Sequence, residues 1–221
     1  MNKNYDYKQE MKKDWYLFLL ILVMFLSGIA LYSRLPDQIP IHWNIEGEVD
    51  DYASRFWGVF MLPFTNLLVL LTFTFMPLLD PRKENYPKFS RSYRAIKAIT
   101  VVFFAVLHFL VLAFALGYEL DISRIVVVGA ALLFIVMGNY LPKVKHNYFV
   151  GVRVPWTLAS EKVWKKTHRF AGKLFVISGI IIFLSIFVSE IIRFWLIMIC
   201  ALVTSLASMV YSYLVYRQEE G

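Results

Sequence analysis

Apolar residues gather in six uninterrupted blocks, at about 14–34, 57–79, 95–117, 122–141, 172–189 and 191–215, and no block carries a charge near its centre. As a helix rising about 1.5 Å per residue, each block matches a hydrocarbon layer about 30 Å thick. A soluble helix would instead alternate its apolar positions with a period of 3.6. The pattern predicts an all-α polytopic membrane protein with six transmembrane helices. Blocks three and four are separated only by Gly117–Asp121, and the last two by Ser189, Glu190 and Arg193. Connections this short join antiparallel neighbours. Of the two prolines in the second block, Pro63 allows a bend and Pro77 marks the helix end.

Two polar stretches interrupt the blocks at length. In the first, 35–56, Ile39, Ile41, Trp43 and Ile45 alternate with Pro40, His42 and Asn44 before a Glu46-Gly47 turn. That is strand periodicity, so a short extended segment is expected, resting on the membrane surface or paired with another. In the second, 142–171, Gly151 permits a positive φ and Pro155 biases Val154 to an extended form. Tyr148, Phe149 and Trp156 suit the interfacial layer. A helix is expected to start near Thr157 or Ser160, with Lys162, Lys166, Arg169 and Lys173 on one stripe. Trp164, His168, Ala171 and Phe175 form the opposite stripe, giving an amphipathic helix that runs into the fifth span.

Charge sets the orientation. Both termini are expected to be cytoplasmic, because that arrangement puts nineteen of the 23 lysines and arginines inside, Lys3 among them. Only Arg34, Arg55, Arg124 and Arg193 fall outside. The formal net charge of +7 is therefore that of a positive-inside membrane protein, with no direct nucleic-acid partner implied. The inner lysines and arginines should attract anionic headgroups. Charged residues make up 18% of the 221-residue chain, below the quarter usual in soluble domains. The single cysteine, Cys200, lies in an apolar block and reads as a small apolar filler. The first block is longer than a signal-peptide core and reads as a retained helix.

Candidate chemistry is sparse. The spans hold no carboxylate pair, no Gly-x-Ser-x-Gly and no paired histidines, so neither catalytic residues nor a cofactor is assigned. His42, Glu46 and Asp50 lack metal-ligand spacing, and no metal site is assigned. His108 is the intramembrane polar candidate, with a packing role between helices set against a functional one. The outer stretch is acidic, through Asp37, Glu46, Glu48, Asp50 and Asp51, with His42 and Trp43 beside them. It reads either as a structured connector or as a docking surface for a cationic or amphipathic ligand. In the inner loop Asn139, Asn147, Gly151, Arg153, Pro155, Trp156, Thr157, Trp164 and His168 are candidates for contact with lipid or a partner. Arg153 has two readings, as a clamp on a carboxylate or phosphate and as a tie to helix-end carbonyls.

Asn147–Leu158, followed by Val163-Trp164, Thr167-His168-Arg169 and Gly172, resembles the signature of the SdpI family of bacterial toxin-immunity membrane proteins. Pro36, Pro40, Ile41, His42, Trp43, Gly47 and Glu48 resemble the uncharacterised domain that often precedes that signature. Val154 stands where a polar residue is often expected. The resemblance implies a multi-pass protein that protects a Gram-positive bacterium from a secreted peptide toxin. It also implies a signalling role in which a cytoplasmic transcriptional repressor is held at the membrane. It points to no enzyme. A transporter or efflux component is the alternative, and an intramembrane hydrolase a more distant one. The expected division is an N-terminal membrane domain over 1–80 with its outer loop, a basic cytoplasmic linker over 81–94, and an SdpI-like membrane domain over 95–217.

Overall fold

The computed structural model describes residues 5–220; Lys3 lies outside them. Asp6 caps the short helix α1 (Tyr7–Lys13), its Oδ1 accepting from the amides of Lys8 and Gln9 at 3.0 and 3.3 Å. Helix α2 (Trp15–Leu31) follows and leads to a hairpin of β1 (Gln38–Trp43) and β2 (Val49–Ser54). Then come α3 (Arg55–Leu79), α4 (Ser90–Ala115), α5 (Ile122–Tyr140), α6 (Pro155–Ala159), α7 (Glu161–Leu184) and α8 (Glu190–Glu220). Six of these helices are long and apolar enough to cross a membrane, and the protein is a multi-pass cell-membrane protein.

The expected extended segment is half of an antiparallel pair, with Gln38 opposite Ser54 and Trp43 opposite Val49. An isolated hairpin is marginal in water. This one is held by burying Leu35 and Ile39 against Val59, Val111 and Leu112 of α3 and α4. Its turn is closed by Gly47 at φ 78°. Helix α3 runs two residues past Pro77, and the Phe73 carbonyl that Pro77 has no N–H to bond accepts instead from the Tyr93 hydroxyl at 2.5 Å.

The helices pack in two groups. Leu17, Ile21 and Met24 of α2 meet Leu70 of α3 and Val101 and Ala105 of α4. In the second group α5 and α7 approach backbone to backbone: a Cβ added to Gly138 would lie 2.7 Å from the Gly172 carbonyl oxygen. Ser178 on α7 and Thr204 on α8 share a hydrogen bond of 2.7 Å, and Thr204 is the first of three small polar residues spaced by four along α8, with Ser208 and Ser212. His108 joins α2 to α4: its Nε2 donates to the Met24 carbonyl at 3.1 Å, with Ser27 Oγ at 3.3 Å. The stretch expected as a linker, 81–94, is folded. A 3-10 turn over Lys83–Phe89 and the first turn of α4 place Tyr86, Phe89 and Tyr93 in a buried aromatic cluster with Val144 and Trp164.

Candidate functional site

The loop between α5 and α6 is irregular, yet its backbone is bonded at nearly every step. Asn147 is fully buried and uses its whole hydrogen-bonding capacity. Its Oδ1 accepts from the Phe149 and Val150 amides at 2.8 and 2.7 Å, and its Nδ2 donates to the Lys145 and Val150 carbonyls at 2.8 and 3.0 Å. That knot turns the chain into Gly151, whose φ of 120° few residues with a Cβ adopt. The next amide, Val152 N–H, donates to Nε2 of His168 at 3.1 Å. Nε2 is therefore the acceptor, and the proton sits on Nδ1, which donates to the Trp164 carbonyl at 2.9 Å. Thr157 accepts from the Val154 amide at 3.0 Å and donates to the Val152 carbonyl at 2.8 Å, and Pro155 starts α6 where its missing N–H costs nothing.

Trp164 closes the loop from below. Its indole N–H donates to the Val144 carbonyl at 2.9 Å, and its ring stacks on His168 with centroids 4.0 Å apart. The predicted helix start resolves into both alternatives: α6 begins at Pro155, breaks at Ser160, and α7 begins at Glu161. The apolar stripe of the predicted amphipathic helix faces protein and not the membrane surface, with Trp164, His168 and Ala171 buried. The loop covers them, so the helix is amphipathic toward its own chain. Trp156 donates its indole N–H to Ser212 on α8 and packs on Tyr213. Arg153 is exposed and donates to the Tyr148 carbonyl at 3.2 Å, which ties the loop to itself. Asn139 lies apart, exposed on α5 with its Nδ2 on the Ile135 carbonyl.

Sequence reasoning missed Asp80, Arg82 and Asn85. Buried Asp80 accepts from the Tyr148 amide and the Tyr86 hydroxyl through Oδ2, both at 2.9 Å, and from the Arg82 amide through Oδ1 at 2.7 Å. The Arg82 guanidinium lies over the Tyr148 ring at 5.1 Å, and Asn85 donates to the His146 carbonyl at 2.8 Å. One sequence signal pointed there: an acid directly after the C-terminus of α3, where the helix dipole disfavours negative charge, needs donors from elsewhere. Asp80→Asn loses one charged acceptor and is expected to cost about 1–2 kcal/mol. Limited proteolysis within 81–94 should become faster, and an unchanged rate would mean that this segment and the loop after α5 are held together without this carboxylate.

On the opposite end of the molecule the hairpin sorts its acids. Asp37 pairs with Arg55 at 2.6 Å and Asp50 with His42 Nδ1 at 2.5 Å. Glu46, Glu48 and Asp51 are exposed and have no ion-pair partner among the described residues. Trp43 points inward, edge-on to Phe114 with centroids 5.7 Å apart. Beneath β1 lies a cavity of about 340 Å³ whose walls include Ile41, Trp43, Met61, Leu107, Val111 and Val126. Its polar walls include His42, which pairs with Asp50, and Asn44. Among the described residues no three histidine, cysteine, aspartate or glutamate side chains gather where they could hold a metal ion.

Residues 143–212, which hold the inner loop, α6, α7 and most of α8, match the SdpI/YfhL protein family. Residues 19–67, which hold the hairpin between α2 and α3, match a domain of unknown function, DUF1648. No solved structure matches the chain. Over 202 residues the chain is 32% identical to the immunity protein SdpI of Bacillus subtilis (strain 168), an alignment covering 90% of this chain and 95% of that one. A likeness that takes in both loops and the spans between them identifies the chain as a member of the SdpI/YfhL protein family.

Proposed function

We propose that this protein confers immunity to a secreted peptide toxin, meeting the toxin on the acidic hairpin and reporting through the inner loop. The observation that carries the reading is the 32% identity with an immunity protein over 90% of this chain. The hairpin suits the first task, since unpaired Glu46, Glu48 and Asp51 would attract a cationic peptide toward an apolar chamber. The inner loop suits the second. Its backbone is pinned by Asn147 and His168, while Tyr148 and Arg153 remain exposed to a partner such as a cytoplasmic transcriptional repressor. Toxin can drive such a report only by binding one loop state better than another.

The test is protection of a toxin-sensitive bacterium expressing this chain and challenged with a panel of cationic peptide toxins. Survival against one toxin is expected. It should fall at least about tenfold when Glu46→Gln, Glu48→Gln and Asp51→Asn are combined, since each removed charge weakens attraction by a fraction of the energy that tenfold represents. Arg153→Ala and Trp156→Ala should lose protection while still reaching the membrane. Full protection by both would remove the inner loop from the mechanism. Faster loss of labelled toxin from cells carrying the protein would identify an exporter instead.

A further inference from the structure

We propose that the notch between α5 and α7, at the end of the bundle that holds the inner loop, binds the phosphate of an anionic phospholipid through Arg169 and Lys173. The basic stripe of α7 divides into two pairs with different fates. Lys162 and Lys166 both pair with Glu219 near the end of α8, and Lys165 pairs with Glu161 at 2.8 Å. Arg169 and Lys173 lie about one and two turns further toward the apolar part of the helix. Both are exposed, and neither has an acidic partner among the described residues. The chain supplies carboxylates to the solvent-side half of the stripe and gives the membrane-side half none among the described residues.

The shape of the surface there fits a lipid. Gly138 and Gly172 bring the two backbones into contact, with Pro142 only 2.7 Å from where a Gly172 Cβ would be. Beside this contact the surface dips into a groove of about 530 Å³. Arg169 and Lys173 stand at its polar end, and Val176 and Ile177 form its apolar continuation, with Ile177 53% exposed. A guanidinium beside an ammonium offers forked and single donors to a phosphate. Asn139 lines the same groove with its Nδ2 already used on Ile135, so its Oδ1 is left to accept from a headgroup hydroxyl. An acyl chain lies along Val176 and Ile177, which a soluble anion has no means of using. The charge asymmetry of the sequence puts this end of the molecule at the inner leaflet, where basic grooves between helices meet anionic headgroups.

The experiment is native mass spectrometry of the full chain released from detergent containing equal phosphatidylglycerol and phosphatidylcholine. Phosphatidylglycerol should be retained about thirtyfold over phosphatidylcholine, the size expected of two juxtamembrane cations. Arg169→Ala with Lys173→Ala should bring retention to parity. Lys162→Ala with Lys166→Ala should leave it unchanged, and so should Arg169→Lys with Lys173→Arg, which keeps both charges and moves the fork by one turn. Parity in the unmodified protein, equal losses in both alanine pairs, or displacement of the lipid by millimolar inorganic phosphate would each overturn the site.

Discussion

Asp14→Ala lowers the stability of the folded protein by about 3–5 kcal/mol, the cost of leaving one member of a buried ion pair alone. Asp14 and Lys97 are both wholly buried, and their Oδ2 and Nζ atoms lie 2.5 Å apart. Asp14 ends α1 and begins α2, whereas Lys97 comes from α4, so the pair links the N-terminal turn to the third span. Around it Arg94 reaches Glu10 at 3.5 Å and Asp14 Oδ1 at 3.7 Å, and Lys13 reaches Glu10 at 2.7 Å. Removing Asp14 leaves the Lys97 ammonium without a carboxylate partner among the described residues, with the Tyr93 ring 5.5 Å away. An aromatic face returns a small part of what a carboxylate supplies. The measurement is the thermal midpoint in detergent of Asp14→Leu, Lys97→Met and their combination. The double variant should recover most of the loss, because an apolar pair of similar volume replaces two charges that had to be desolvated. A single variant within about 1 kcal/mol of the unmodified protein would mean that water reaches the pair and screens it.

Gly151→Ala is expected to cost about 3 kcal/mol and to disable the inner loop without removing the protein from the membrane. Two effects add. The backbone φ of 120° is strained for any residue with a Cβ. The new Cβ would also lie 2.1 Å from His168 Nε2, the atom that accepts the Val152 amide. His168 has nowhere to retreat, because it stacks on Trp164 and is tied by Nδ1 to the helix backbone. The substitution therefore breaks the Val152–His168 bond and pushes residues 150–154 outward. Amide hydrogen exchange at Val152 should speed up, and protection against toxin should fall. Combining Gly151→Ala with His168→Ala relieves the clash but not the strain, so exchange should stay fast while the midpoint partly recovers. Slow exchange at Val152 in the single variant would show that the loop is held by Asn147 and Thr157 without the histidine.

The sequence made the loop signature legible as a set of special residues, but not as a mechanism of folding. Gly151 and Pro155 announced their backbone roles directly, because glycine and proline restrict or free φ wherever they stand. Asn147 and His168 did not. An asparagine that fills all four bonding positions, and a histidine whose tautomer is chosen by an amide sixteen residues away, depend on where the chain returns. Asp80 and Lys97 were hidden for a related reason. Each lies at the edge of an apolar block, where a charge ordinarily meets water or headgroups, and local sequence does not say that a distant donor or acceptor arrives there instead.

The outer stretch shows the same limit from another side. Period-two alternation over Ile39–Ile45 was visible, and so was the Glu46-Gly47 turn. The returning strand, Val49–Ser54, carries Asp50, Asp51 and Tyr52 in place of an alternating apolar set. Only its pairing with β1 makes it a strand, and only that pairing decides which acids are spent on Arg55 and His42 and which remain open.

The number of spans, their approximate limits and the segregation of basic residues follow from the sequence alone, because the cost of placing polar groups in hydrocarbon acts residue by residue and needs no knowledge of neighbours. Which lysines of α7 are neutralised, which face of that helix is buried, and how Asp14, Asp80 and Asn147 draw separate segments together were decided by the tertiary structure. Those outcomes depend on pair distances between residues far apart in the chain, and hydrogen bonds and ion pairs gain their strength only where packing has already excluded water.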